Sequence, residues 1–254
     1  GGTSLADAEC FRRSANIVTE ASGDSHRSAV VVSAIGSGAD TPKVTDALLD
    51  VIALAAAGRA RDSEEALSCV VARHIEVIRE LLSPDIAVAV QTVIESDVAN
   101  IRNLLQTVAL LKRSSEPIDA LVLGYGEIWS ARIFAEHLGD RFTLLDARKV
   151  IVVDDGDATR GAVMWERSGA QLAKSLEDIE TGGGAEDGLV LPGFVATTRD
   201  GAATTLKRDG SDYSASILGR LLGASTITIW TDVSGVLSAD PRRVPSAHVL
   251  PEIT

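Results

Sequence analysis

Residues 29–34 read Ala29-Val30-Val31-Val32-Ser33-Ala34, an unbroken apolar run that closes on small and hydroxylated residues. A strand with one wet face alternates apolar and polar side chains, whereas a continuous β-branched run suits a strand buried on both faces of a parallel sheet. Helical character over about residues 5–20 precedes it, so the chain reads α then β. Ser4, followed by Leu5-Ala6-Asp7-Ala8-Glu9, has the pattern of a helix N-terminus, with acidic groups where the helix dipole favours them. A Gly/Ser/Pro loop from Gly36 to Pro42 follows, then helical stretches over about 45–57, 63–82 and 86–112. Further apolar runs stand at Ile118–Leu123, Thr143–Leu145, Val150–Val153, Leu189–Val195 and Thr226–Trp230, separated by helical periodicity near 127–138, 168–179 and 212–222. That alternation predicts an α/β fold, a three-layer αβα sandwich around an open, mainly parallel central sheet.

Composition narrows the function. The 254 residues carry 24 Lys+Arg against 36 Asp+Glu, a net charge of −12, which disfavours a nucleic-acid partner. An apolar content of 45% can line a sizeable core. Cys10 and Cys69 cannot build a disulfide framework, no Cys/His cluster has zinc spacing, and a reducing compartment is expected. The longest apolar run, Val51–Ala57, is far shorter than the roughly 20 residues of a membrane span, so no membrane partner is expected. Gly1-Gly2-Thr3-Ser4 is neither a Met start nor a targeting sequence, and Pro251-Glu252-Ile253-Thr254 leads onward. The chain is therefore read as a fragment truncated at both ends.

Familiar nucleotide signatures are missing. No G-x-x-x-x-G-K-[ST] occurs, and Thr41 and Trp129 stand where Gly36-Ser37-Gly38 and Gly124-Tyr125-Gly126 would need a third glycine to complete G-x-G-x-x-G. The Thr181–Gly188 loop is glycine-rich, but its acidic neighbours suit a surface linker better than a phosphate cradle. His26, His74, His137 and His248 are far apart in sequence and read as surface or structural groups.

Chemistry concentrates in Thr204-Thr205-Leu206-Lys207-Arg208-Asp209-Gly210-Ser211-Asp212-Tyr213-Ser214-Ala215, where hydroxyl, basic and acidic side chains stand just ahead of a helix. Ser211 can cap that helix, expected to run to about Leu222 and stop at Gly223. The free N–H groups of its first turn and the fork of Arg208 would together suit an anion such as a carboxylate. The Thr226–Trp230 run, read as a strand, would deliver Thr231 and Asp232 to its carboxyl end, the edge at which open α/β sheets take ligands. Asp240-Pro241-Arg242 then offers a rigid turn and an arginine within reach of phosphate.

These runs, with Gly193-Phe194 ahead of them, resemble the signature of the aspartokinases of the amino-acid kinase superfamily, most closely the plant-type bifunctional aspartokinase/homoserine dehydrogenases. Gly1-Gly2-Thr3-Ser4 resembles the family's opening motif, Val31-Val32-Ser33-Ala34 its second loop, and Gly124-Tyr125-Gly126-Glu127-Ile128-Trp129-Ser130-Ala131 its Gly-Glu motif, followed by Asp146-Ala147-Arg148. The matches run in the family's order over the whole chain, so residues 1–254 are taken as one aspartokinase catalytic domain.

The resemblance implies transfer of a phosphoryl group from ATP, with Mg2+, to the side-chain carboxylate of L-aspartate, giving 4-phospho-L-aspartate at the head of lysine, threonine and methionine synthesis. It also implies roles. Glu127 would hold the substrate ammonium and Arg208 its α-carboxylate, with Ser33, Thr45 and Ser211 as further substrate contacts. Gly1, Gly2 and Ser4 would receive phosphate oxygens, Asp212 would orient a catalytic lysine, and Thr231, Asp232 and Arg242 would serve the nucleotide. No residue is assigned as a metal ligand, because Mg2+ would keep mostly phosphate and water oxygens. The family lysine precedes Gly-Gly and falls outside this sequence, so the chain as given is expected to be inactive or nearly so. Regulatory and dehydrogenase regions are likewise outside it, and a homo-oligomer would form through the former. A soluble location is expected, in a plastid if the source is a plant or alga and otherwise in the cytoplasm. Two alternatives stand beside this reading: a kinase of the same fold acting on another substrate, and a truncated non-catalytic paralogue that binds nucleotide or partner subunits.

Overall fold

The protein is described here by a computed structural model, covering residues 2–23, 27–38, 41–154, 162–184, 188–207, 210–230 and 235–250. Seven α-helices occur among them: α1 Ala8–Ser22, α2 Val44–Ala56, α3 Ala60–Leu81, α4 Pro84–Leu111, α5 Glu116–Leu138, α6 Trp165–Thr181 and α7 Gly210–Leu222. The strands are β1 Ser28–Val32, β2 Phe142–Leu144, β3 Val152–Asp154, β4 Ala162–Val163, β5 Gly188–Pro192, β6 Val195–Thr198 and β7 Ala203–Thr205.

β5 is the centre of the arrangement. β1 and β2 pair with it in parallel, one on each side, from Ser28↔Gly188 to Val32↔Pro192 and from Phe142↔Gly188 to Leu144↔Val190. Side chains along a strand alternate between faces, and the two apolar clusters follow that period of two. Val30, Val32 and Val190 join the core made with α1 to α5, whereas Val31, Leu189 and Leu191 join the core made with α6 and α7. The run at 29–34 thus meets helices on both faces, and the three layers are helices, sheet, helices, but β1 is an edge strand beside the large cavity, so only Val32 and Ala34 are buried while Val30, Val31 and Ser33 are half-buried and Ala29 is exposed.

A second sheet, ordered β4-β3-β6-β7, is mixed, with only β3 and β6 parallel. The run Leu189–Val195, read as one strand, is broken into β5 and β6 by Gly193-Phe194, where Phe194 takes φ 66°. That conformation is costly for a residue with a Cβ. The Ser214 hydroxyl, accepting from the Phe194 N–H at 2.9 Å, holds it in place.

Two apolar runs read as strands are not strands. Ile118–Leu123 lies inside α5, which begins after Ser115 with Pro117 in its first turn and ends before Gly139 at φ 75°. A helix apolar on every side needs cover all round, and α5 has it: from Gly124 to Ala135 every residue except Arg132 is buried. Gly124 and Gly126 allow close approach, since a Cβ at either would stand 2.9 Å from a valine Cγ1, that of Val195 or of Val44. Thr226–Trp230 is irregular and open, with Ile227 45%, Ile229 48% and Trp230 55% exposed. The tract and the edge strand β1 both line one cavity of about 1280 Å³ and form no ladder with each other. A β-rich composition yields a strand only where a neighbouring backbone is in register to pair with it.

Smaller shifts concern helix starts. Ser4 sits in a 3₁₀ turn, Gly2–Leu5, and α1 is capped instead by Asp7, whose Oδ1 accepts from the Cys10 N–H at 2.8 Å. α7 already includes Gly210, so Ser211 is inside the helix and does not cap it, while Gly223 at φ 63° ends the helix where expected. Among the described residues no helix is long and apolar enough to cross a membrane.

Candidate active site

The four residues that follow β1 join the scattered site residues together. Ser33 opens onto the large cavity, whose wall also includes Ser211 and Asp212 of α7. Ala34 turns its backbone N–H to the Glu127 carboxylate. The Ile35 carbonyl accepts from the Val44 N–H at 3.0 Å, which sets the start of α2 and with it Thr45, the next residue. Gly36 lies so close to Gly2 that a Cβ at 36 would fall 2.2 Å from the Gly2 carbonyl oxygen and 2.8 Å from the Thr3 nitrogen. Only glycine allows two backbones that near each other. The Gly2–Ser4 turn and the 33–36 segment are therefore stacked main chain on main chain, at the carboxyl end of a parallel strand where α/β sheets bind ligands.

A second close contact brings α7 to the same edge. Past the end of β5, a Cβ on Gly193 would meet Ser211 Oγ at 2.5 Å and Ser211 Cα at 2.8 Å. Ser214 completes the strap, donating to the Gly210 carbonyl at 2.8 Å while its oxygen accepts from the Phe194 N–H. A smaller cavity, about 310 Å³, is lined by Thr3, Ser4 and Cys10 and shares Ile17, Val18, Val30, Val31 and Trp230 with the larger one.

Glu127 is the electrostatic anomaly of this edge. It is 4% exposed, and its Oε2 has no hydrogen-bond partner. Burial pushes its carboxyl up to about 8, against the opposing pull of the Ala34 N–H and the Lys43 charge. Glu127 forms no ion pair with nearby Arg132, whose Nε is itself buried and without a partner. By contrast Asp146 and Arg148 do pair with each other, Nη2 to Oδ2 at 2.6 Å and Nε to both carboxylate oxygens at 3.0 Å.

The sequence-predicted residues divide accordingly. Gly2, Ser4, Ser33, Thr45, Glu127, Ser211 and Asp212 are connected through the two cavities and the 33–36 segment. Arg242 lines neither cavity; it stands on an exposed turn whose N–H is bonded to Asp240 Oδ1 at 2.9 Å. Gly1, Arg208, Thr231 and Asp232 lie outside the described residues, as does most of the Glu186 side of the glycine-rich loop. Among the histidines, His74 is fully buried and structural as expected, His137 is half-buried, His248 is exposed on its turn, and His26 is not among the described residues. Sequence reading missed Lys43 and the support beneath Glu127. There the Trp129 indole donates to Asp97 Oδ2 at 2.9 Å and meets His74 edge-on at 5.1 Å. An i,i+2 spacing from Glu127 to a tryptophan carries no signal of its own, so nothing in the pattern would have flagged it.

A three-layer α/β fold with glycine turns stacked at the carboxyl edge of a parallel sheet defines the class, and a profile of the amino acid kinase family matches residues 1–254. The chain belongs to the amino acid kinase family. Within it, the chain is similar to the chloroplastic bifunctional aspartokinase/homoserine dehydrogenase of Daucus carota, 37% identical over 98% of this chain and 26% of that protein. It is also similar to lysine-sensitive aspartokinase 3 of Escherichia coli, 32% identical over 100% of this chain and 52% of that one. The crystal structure of E. coli aspartokinase III in complex with aspartate and ADP superposes with a TM-score of 0.80 at 29% identity, covering 98% of this chain and 52% of that one. The chain thus spans about a quarter of the bifunctional relatives and about half of the E. coli enzyme.

Proposed function

We propose that the chain is the catalytic part of an aspartokinase, binding L-aspartate beside ATP and catalysing phosphoryl transfer to the β-carboxylate. The observation that carries this reading is the orphaned, buried carboxylate of Glu127. A buried acid with one unpartnered oxygen is costly whether neutral or charged, and an incoming cation with N–H donors relieves both costs. The ammonium of an amino acid is such a cation, and it would draw Glu127 into the ionised form. Arg208 then offers the bidentate fork for the α-carboxylate, and Ser33, Thr45 and Ser211 supply hydroxyls between them. The names of the similar proteins, aspartokinases with an aspartate and ADP complex among them, support the same substrates.

The chemistry asks little of a base. The substrate β-carboxylate is already ionised at neutral pH, so one of its oxygens forms the bond to the γ-phosphorus as the bond from that phosphorus to the β,γ-bridging oxygen breaks and ADP leaves. The protein's work is to hold two anions in line and shield the charge that develops. Backbone groups of Gly1 and Gly2 with Ser4 would face phosphate oxygens, Asp212 would orient a lysine, and Thr231, Asp232 and Arg242 would serve the nucleotide. Among the described residues no group of three or more His, Cys, Asp or Glu could cage a metal. Mg2+ would be held chiefly by phosphate and water oxygens, with no side chain assigned as its ligand. Bound there, the ion would neutralise phosphate charge. Plastid location is supported by the chloroplastic names of the plant relatives.

Calorimetry tests the reading. L-aspartate should bind, succinate, which lacks the ammonium, should not, and binding should release a proton below pH 8 so that affinity rises with pH up to that value. In Glu127→Gln the pH dependence should vanish along with most of the affinity. Equal binding of succinate and aspartate by the unaltered chain would refute the role of Glu127.

A further inference from the structure

Helix α3 lines neither cavity, yet its Arg73 reaches three backbone carbonyls that belong to three separate stretches of the site. Nη1 donates to the Pro42 carbonyl at 2.8 Å, and Nη2 donates to the Ala6 carbonyl at 3.1 Å and to the Gly36 carbonyl. Ala6 lies two residues after Ser4, Gly36 carries the backbone packed on Gly2, and Pro42 lies three residues before Thr45. These three stretches are brought together from 67, 37 and 31 residues away in sequence. Asp7 and Glu76 act on Arg73 as charges at longer range, while its hydrogen bonds go to main chain. The next residue, His74, turns to the other side and seats its ring edge-on against Trp129, two residues past Glu127. One turn of α3 therefore touches both the loops that would face phosphate and substrate and the helix that carries the ammonium-binding carboxylate.

We propose that Arg73 is a positioning residue: a guanidinium clasp that fixes the 2–6, 33–38 and 41–45 segments relative to Glu127, so that the aspartate pocket exists in the free protein and is not assembled by substrate. A planar fork with five donors in fixed directions can satisfy three carbonyls at once, which an ammonium on a flexible stem cannot do with the same geometry. Without it the three carbonyls turn to water, the 33–36 segment loses its anchor, and the Ala34 N–H no longer sits over Glu127. The inference rests on the aspartate reading given above.

Three variants and four readouts test it. Arg73→Met and Arg73→Lys should weaken aspartate binding by roughly ten- to a hundredfold, the scale expected when a supporting residue lets a site drift, with Arg73→Lys no better than partly restored. Melting temperatures should stay close to that of the unaltered chain. Amide exchange should speed up over 33–45 and stay unchanged over β5 and α7, and millimolar methylguanidinium should restore part of the affinity of Arg73→Ala. Full affinity in Arg73→Lys, or unchanged exchange over 33–45 in Arg73→Met, overturns the clasp. Absence of aspartate binding by the unaltered chain would instead overturn the substrate reading and take the ligand half of this proposal with it, and the exchange data would still decide whether Arg73 orders the loops.

Discussion

Two apolar stretches of similar composition meet opposite fates in this molecule. Ile128 to Ala135, in α5, is enclosed between the sheet and four other helices, with Trp129, Ile133 and Phe134 at 1% exposure or less. Thr226 to Trp230 is no poorer in β-branched and aromatic side chains, and it stands open along the wall of the large cavity. The hydrophobic effect rewards burial wherever it can be had, and it does not choose the secondary structure that achieves it. What separates the two is cover: α5 is touched on every side, while the 226–230 tract lies in no strand and leaves Ile227, Ile229 and Trp230 about half exposed.

The contrast is sharpest at two tryptophans. Trp129→Ala should cost about 3–5 kcal/mol, since it removes a fully buried ring, the donor to Asp97 and the stacking partner of His74. Chemical denaturation would measure it, and a loss under about 1 kcal/mol would mean that the α5 core is far looser than its packing. Effects that depend on pH belong to the two buried titratable groups on either side of Trp129. Glu127 has its carboxyl raised to about 8, so the native state holds a proton there that the unfolded state releases above its ordinary value of 4.5. Stability should accordingly fall as pH rises from about 4.5 to 8, and Glu127→Gln should be the more stable protein at pH 8 even as it loses ligand. His74 is depressed to about 4 by burial, so the unfolded state binds the extra proton and stability should fall as pH drops from 6.5 towards 4. Each slope is at most about 1.4 kcal/mol per pH unit. Replacing His74 with Phe should flatten the acid limb alone, and melting curves across pH 4–9 would separate the two. The smallest effect belongs to the open tract, where Trp230→Ala should change stability by no more than about 0.5 kcal/mol. A loss comparable to that of Trp129→Ala would show that the tract is packed in solution and would erase the distinction.

Much of the fold is legible from the chain. The packing of Val30 to Val32 against helices on both faces follows from an uninterrupted β-branched run, although only Val32 is fully buried, and α2, α3, α4, α6 and α7 fall within a few residues of their periodicity. The misreadings have separate causes. Ile118–Leu123, whose apolar run carries no 3.6-residue signal of the kind that marks an amphipathic helix, continues unbroken into the helix expected near 127–138. Leu189–Val195 divides because one side-chain hydroxyl from α7, 20 residues on, stabilises a left-handed Phe194. The candidate site was legible as a set of motifs at Gly2, Ser33, Glu127 and Ser211, whose roles are proposals, but Arg73 was hidden, because an arginine in an ordinary helix gives no hint that it bonds a carbonyl 67 residues back in the chain.

By itself the sequence determined the class of fold, the family and the chemical kinds of group gathered at the site, since hydrophobic period, glycine placement and motif order are local properties of the chain. Tertiary structure alone decided that Glu127 is buried with an oxygen unsatisfied, that Gly2 rests on Gly36, and that Arg73 joins three loops. Each of these depends on which distant backbone comes within about 3 Å, and on the low polarity that burial creates there, and neither is written in the order of residues along one segment.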